Sequence, residues 1–162
     1  MTSDPLNVGE ALRRVMRRVP SPVTVVTAAW DGERYGATIG SFTSVSLAPP
    51  LVSFNLQHGS SLRMALEAGA PFAVHVLRDD QADLAARFAR PDLAMPERFD
   101  ELTQDDEDGV PVLPCLARVR GRVHTRMAAG DHLLVLADVV GAEEPGEGEP
   151  LLYLDRAFRR VG

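Results

Sequence analysis

Residues Gly36–Pro50 read GATIGSFTSVSLAPP. Gly36, Ala37, Gly40, Ser41, Thr43, Ser44 and Ser46 carry little side-chain bulk, while Ile39, Phe42 and Val45 give the stretch strand character. Pro49-Pro50 is expected to stop the ladder. A strand that only filled a core would be richer in Val, Ile and Leu. A plain surface loop would not space Ile39, Phe42, Val45 and Leu47 so regularly. The stretch reads as a strand and turn whose amides and hydroxyls hold a flat polar ligand. A Ser/Thr-rich edge strand that binds nothing is the alternative that composition leaves open.

The flanking segments supply the partners of such a strand. Val23–Trp30 is rich in β-branched residues, and Asp31-Gly32 is a hairpin turn signal leading back into the opening stretch. After the prolines, LVSFNLQ alternates: Leu51, Ser53, Asn55 and Gln57 share one face, and Val52, Phe54 and Leu56 the other. His58-Gly59-Ser60-Ser61 leads into a short helix, with a serine at its N-cap and Gly69 at its C-cap. Arg63 in its first turn could assist a phosphate, although capping alone explains the serines.

Pro71–Leu77 reads as a buried strand and Asp79–Ala89 as a helix. Residues 90–114 are a proline-rich, acidic loop region. Residues 115–127 alternate small or apolar residues with a row of arginines, as a half-buried antiparallel strand does. Ala129-Gly130-Asp131-His132 makes a turn into a return strand, and PLLYLDRAF reads as a last strand. Near the start, Val8, Leu12, Val15, Met16 and Val19 predict an amphipathic helix over residues 8–19, ended by Pro20 and Pro22. Many short strands, two or three helices and no βαβ rhythm predict a mainly β protein: an antiparallel barrel with helices packed outside.

At 162 residues the chain is expected to form one domain, residues 1–162, with a proper core. A net charge of −6 argues against nucleic-acid binding, which needs a basic face. No apolar run is long enough to span a bilayer. The N-terminal stretch MTSDPLNVGEALRR lacks the apolar region of a signal peptide, and a lone cysteine, Cys115, fits a reducing cytoplasm.

All 17 basic residues are arginine. A Schiff-base lysine, a P-loop lysine and a lysine general base are therefore excluded. The four histidines are scattered without metal-ligand spacing, no G-x-S-x-G marks a nucleophile elbow, and no G-x-G-x-x-G marks a dinucleotide fold. What remains is binding by hydroxyls, amides and a few rings. This suits a cofactor that brings its own reactivity and needs orientation. His132, after a Gly-Asp turn at a strand start, is the histidine best placed for a site.

Taken in order, these segments resemble the flavin reductase family, the small NAD(P)H:flavin oxidoreductases that serve two-component monooxygenases. VPSPVTVVTAAWDGERYGAT resembles the family's opening hairpin, and SFTSVSLAPPLVSFNL its flavin-binding signature. PFAVHVLRDDQADLAARFA, the RFD at Arg98–Asp100, AGDHLLVLADV and PLLYLDRAF follow in the family's order.

The resemblance implies an FMN-binding type of split β-barrel, a homodimer, and hydride transfer from NADH or NADPH to N5 of FMN or FAD for a partner monooxygenase. It places Thr38, Ile39, Gly40, Ser41, Ser44 and Val45 around the isoalloxazine and ribityl chain. Asn55, Leu56 and Gln57 add ring and ribityl contacts. Ser60 and Ser61 take the phosphate, with Phe88, Ala89 and Arg90 near the phosphate or the adenine half. His132 contacts or positions the nicotinamide nucleotide. Two alternatives stay open: a split-barrel oxidase of a small substrate, and a non-catalytic flavin- or haem-binding module.

Overall fold

A computed structural model describes residues 4–101 and 103–162. The amphipathic segment forms α1 (Pro5–Met16), displaced three residues toward the N-terminus from the expected span. After β1 (Ser21–Pro22), strands β2 (Thr24–Trp30) and β3 (Glu33–Ile39) make the expected hairpin. Asp31 and Gly32 both take positive φ, 53° and 77°, as a two-residue primed turn requires.

The next hairpin joins β4 (Thr43–Leu47) to β5 (Pro50–Gln57). Here the expectation that Pro49-Pro50 stops the ladder is corrected. Leu47 pairs with Pro50, so the prolines form the turn and open the next strand. Proline is tolerated at a strand's first residue, where its missing N–H costs no ladder bond.

The chain continues through α2 (Leu62–Glu67), β6 (Phe72–Val76), α3 (Ala82–Ala89), α4 (Met95–Arg98), β7 (Gln104–Asp105) and β8 (Pro111–Val112). The long hairpin of β9 (Ala117–Ala129) and β10 (His132–Glu143) follows, turning at Gly130-Asp131 with Gly130 at φ 61°. The closing segment is not one strand but a hairpin, β11 (Leu152–Leu154) and β12 (Ala157–Arg159). Asp155 and Arg156, both at positive φ, make its tight turn. No helix is long and apolar enough to cross a membrane among the described residues.

Seven strands form one antiparallel sheet in the order β3-β2-β6-β9-β10-β5-β4. Its two edges, β3 and β4, are consecutive in the chain, joined only through Gly40, Ser41 and Phe42. Four peptide steps span at most about 14 Å. A link so short between opposite edges forces the sheet to curl into a barrel. Yet β3 and β4 make no ladder with each other, so the barrel is split along one seam. The mainly β, antiparallel split barrel with peripheral helices is the expected fold class.

The inward faces carry the first core. Phe54 and Phe72 meet edge to face at 5.4 Å among Val26, Val74, Val135 and Ala137. Helix α2 adds Leu62, Ala65 and Leu66, all with no exposed surface. Outside β2 and β6, α3 packs Ala85 and Phe88 on Val25 and Leu77 in a second core. Strand β2 is thus covered on both faces, and its two buried threonines satisfy their hydroxyls on the carbonyls of Ile39 and Pro111, each at 2.6 Å.

Candidate functional site

The seam opens into a cavity of about 750 Å³. That size lies within the roughly 300–1,000 Å³ typical of small-molecule sites. One wall is the end of β3 and the link that follows: Ala37, Thr38, Ile39, Gly40 and Ser41. The facing wall is the last half of β5, Asn55, Leu56 and Gln57. Strand β4 pairs with β5 only as far as Ser53, so among the described residues this half of β5 has β10 on one side and nothing laddered on the other. The Asn55 N–H points across the seam and donates to Ser41 Oγ at 2.9 Å. Backbone groups alternate along a strand, so the Gln57 N–H shares this orientation.

Gly59, Ser60 and Ser61 close one end, at the start of α2. Ser61 occupies the N-cap position in αR geometry and makes no side-chain capping bond. Capping therefore does not account for its hydroxyl, and Ser61 is among the residues that line the cavity. Gly69, at φ 82°, ends the helix as expected, with its amide on Leu66 and the Ala70 amide on Ala65. Arg63 does not reach this cavity wall. Its guanidinium is held by Glu67 at 2.6 Å and by the His58 ring at 2.9 Å.

The end of α3, the loop after it and α4 supply the remaining wall. Phe88 and Ala89 line the cavity, joined by Pro91, Leu93, Met95 and Arg98, which the sequence reading did not assign to the site. Arg98 organises this loop. Its guanidinium donates to four carbonyls: Gly36 at 3.1 Å, Phe88 at 3.2 Å, Arg90 at 2.8 Å and Leu93 at 3.3 Å. Met95 Sδ accepts the Gly36 N–H at 3.3 Å. The RFD tripeptide was the signal available in the sequence, and Arg98 is its first residue.

His132 completes the wall from the β9–β10 turn. Its Nδ1–H donates to Asp131 Oδ1 at 2.6 Å, which leaves Nε2 for a ligand. The same hydrogen bond from His132 holds the Asp131 carboxyl below the usual carboxylate range.

Several expectations need correction. Ser44 and Val45 do not line the cavity: β4 is an edge strand with a register shift between Ser44 and Ser46, and both residues are exposed to solvent. Arg90 pairs with Asp92 at 2.7 Å and lines an adjoining cavity of about 630 Å³, which shares Thr38, Ile39, Gly40, Ala89 and Pro91 with the first. Thr38 is on the wall, but its hydroxyl proton is committed to the Ala85 carbonyl at 2.6 Å. Gly36 is not open to a ligand. It is buried, and a Cβ there would stand 2.6 Å from the Phe88 ring.

The residues present fit a flavin. A slot between two strand ends offers amides and hydroxyls, a cluster of small polar groups stands at one end, and a histidine at the mouth has a ring nitrogen to offer.

The comparisons with known proteins agree with this fit. The flavin reductase like domain matches residues 16–162. The NADH:FMN oxidoreductase of Rhodococcus qingshengii is 41% identical over 157 residues, covering 91% of this chain and 79% of that protein. The reductase component of 4-hydroxyphenylacetate 3-monooxygenase from Thermus thermophilus is 34% identical over 152 residues, covering 94% and 96%. The NADH:FAD oxidoreductase of Streptomyces globisporus, solved with NAD and FAD fragments, superposes with a TM-score of 0.85 at 32% identity, over 100% of this chain and 97% of that one. The split barrel, the cavity at its seam and these likenesses lead to one assignment: the chain belongs to the flavin reductase like domain family and is a flavin reductase.

Proposed function

We propose that the seam cavity is where FMN or FAD meets NADH or NADPH. The carrying observation is the coincidence, around one cavity, of the β3 end, the uncovered half of β5, Ser60-Ser61 and His132. When bound, the flavin accepts a hydride at N5 from the nicotinamide, and the two cofactors supply the redox chemistry.

The chain's own residues bind and orient. The Gln57 amide donates to a ring acceptor. Ser41 keeps its hydroxyl proton for the ligand while its oxygen holds Asn55. Thr38, with its proton spent on Ala85, offers only a lone pair. The hydroxyls of Ser60 and Ser61 donate to the flavin phosphate. Arg98 brings positive charge to the wall while its hydrogen bonds fix the loop that covers the ring. His132 uses Nε2 to seat the nicotinamide nucleotide, with Asp131 setting its orientation. No side chain needs to act as acid or base in the transfer, so alignment is the protein's contribution.

The proposal extends to the assembly. The chain works as one cytoplasmic domain in a homodimer, a reading supported by the exposed apolar face of α1 (Val8, Leu12, Val15, Met16) and by exposed Val45 and Leu47 on β4. It delivers reduced flavin to a partner monooxygenase, a reading supported by its likeness to the Thermus thermophilus monooxygenase reductase component.

The test is direct. Oxidation of NADH and of NADPH is followed by near-ultraviolet absorbance with FMN, FAD or riboflavin as acceptor. Turnover with at least one pair is expected, and absence of oxidation with every pair overturns the reading.

A further inference from the structure

His58 stands between the two halves of the site. It follows β5 and precedes the Gly59-Ser60-Ser61 stretch, yet its contacts reach the β9–β10 turn. Its Nε2 lies 2.9 Å from the Gly130 carbonyl, and its Nδ1 lies 2.9 Å from Arg63 Nη1. The two partners fix the tautomer. A carbonyl can only accept, so Nε2 carries the proton; a guanidinium can only donate, so Nδ1 is the acceptor. Arg63 is in turn oriented by Glu67 at 2.6 Å. The backbone adds one more bond, from the His58 N–H to the Asp131 carbonyl at 3.3 Å. An unbroken chain of contacts therefore runs from Glu67 on α2 through Arg63 and His58 to Gly130, next to Asp131 and His132.

A two-residue turn at the tip of a long hairpin is the part of a sheet most ready to rock. Gly130 sits at φ 61° and carries no side chain to pack. His58 supplies what the turn lacks, a side-chain anchor on a helix-bound arginine. We propose that His58 is a positioning residue: by holding the Gly130 carbonyl it fixes the turn, and so the place of the His132 ring, for the nicotinamide nucleotide. This rests on the reading of His132 as the nicotinamide-side residue. It implies that nicotinamide affinity depends on residues of α2 that do not line the cavity.

The experiment compares steady-state KM values for the nicotinamide and the flavin in four variants: His58→Ala, His58→Gln, His132→Ala and the His58→Ala/His132→Ala double. His58→Ala is expected to raise the nicotinamide KM about fivefold, the scale of one lost hydrogen bond, and to leave the flavin KM and the melting temperature near wild type. His58→Gln keeps an N–H for Gly130 and an oxygen for Arg63, and is expected to recover most of the loss. The double variant is expected to be no worse than His132→Ala, because residues acting through one another are not additive. Arg63→Met provides a second route should His58→Ala fold poorly, with a smaller change in the same direction.

If His132→Ala raises the nicotinamide KM while His58→Ala and Arg63→Met do not, the positioning role is overturned and the reading of His132 stands. If the two single effects add in the double variant, or if both KM values rise together in His58→Ala, the role is likewise overturned. If His132→Ala itself leaves the nicotinamide KM unchanged, the reading of His132 fails and the proposal falls with it.

Discussion

The backbone amide of Asn55 donates to the hydroxyl oxygen of Ser41 at 2.9 Å, and this bond ties the link between β3 and β4 to the uncovered half of β5. Strand β4 has already turned away at Ser53, so Ser41 takes the place of a ladder partner. Ser41→Ala removes the acceptor and the hydroxyl that faces the cavity. The expected outcome is a rise of several-fold in the flavin KM with a stability loss of about 1 kcal/mol, the net worth of one hydrogen bond. Paired measurements of flavin KM and urea midpoint check it, and an unchanged flavin KM would remove Ser41 from the site.

Arg98 satisfies four carbonyls from one guanidinium and so ties the loop at residues 88–98 to β3. Arg98→Ala leaves those carbonyls to water or to one another. A stability loss of about 2 kcal/mol is expected, within the ordinary range for a substitution that removes several part-buried hydrogen bonds, together with weaker flavin binding. Arg98→Lys should rescue little, because an ammonium has three donors and no planar fork. Full rescue by lysine would show that charge alone matters at this position.

Gly36 tests the same wall from below. An added methyl would meet Phe88 at 2.6 Å and Phe99 at 3.2 Å. Those rings already pack edge to face at 5.1 Å, so neither can yield without disturbing the other. Gly36→Ala is expected to lower stability by about 1–3 kcal/mol, as overpacking does. A melting temperature equal to wild type would mean that α3 shifts freely, and with it the Phe88 side of the cavity.

The sequence made the strands legible because alternation and turn residues are local signals. Val52, Phe54 and Leu56 are buried as their period requires, and Asp31-Gly32 turns as its φ preferences dictate. Ser60, Ser61 and His132 could be marked because they flank recognisable turns. What stayed hidden depends on packing between distant segments. Nothing near Arg98 in the chain announces that Gly36, 62 residues away, supplies one of its acceptors. Nothing near Thr38 reveals that its proton goes to Ala85. Ser44 stands on a solvent-facing edge and not on the cavity wall, a distinction that its small polar side chain does not encode. Gly36 was misread for a related reason, since a missing side chain can admit a ligand or a phenyl ring.

His75 gives the fold a pH dependence separate from the site. It is fully buried between β2 and the segment at Leu113. Its Nδ1–H donates to the Val25 carbonyl at 2.9 Å, and its Nε2 accepts the Leu113 amide at 3.2 Å. A protonated ring could not accept that amide. Burial pushes the pKa down to about 4, partly offset by the Val25 carbonyl and helped by the Arg118 charge. The unfolded chain takes up this proton near the ordinary value of about 6.5. Between the two values the unfolded state binds more protons, so stability falls as pH falls. The contribution is fully present above about pH 6.5 and is lost by about pH 4, amounting to about 3 kcal/mol over that window. Urea midpoints at several pH values between these limits measure the slope. The comparison is with His75→Gln, in which the slope is expected to flatten. Equal slopes in the two proteins would mean that His75 does not set the acid limit of the fold.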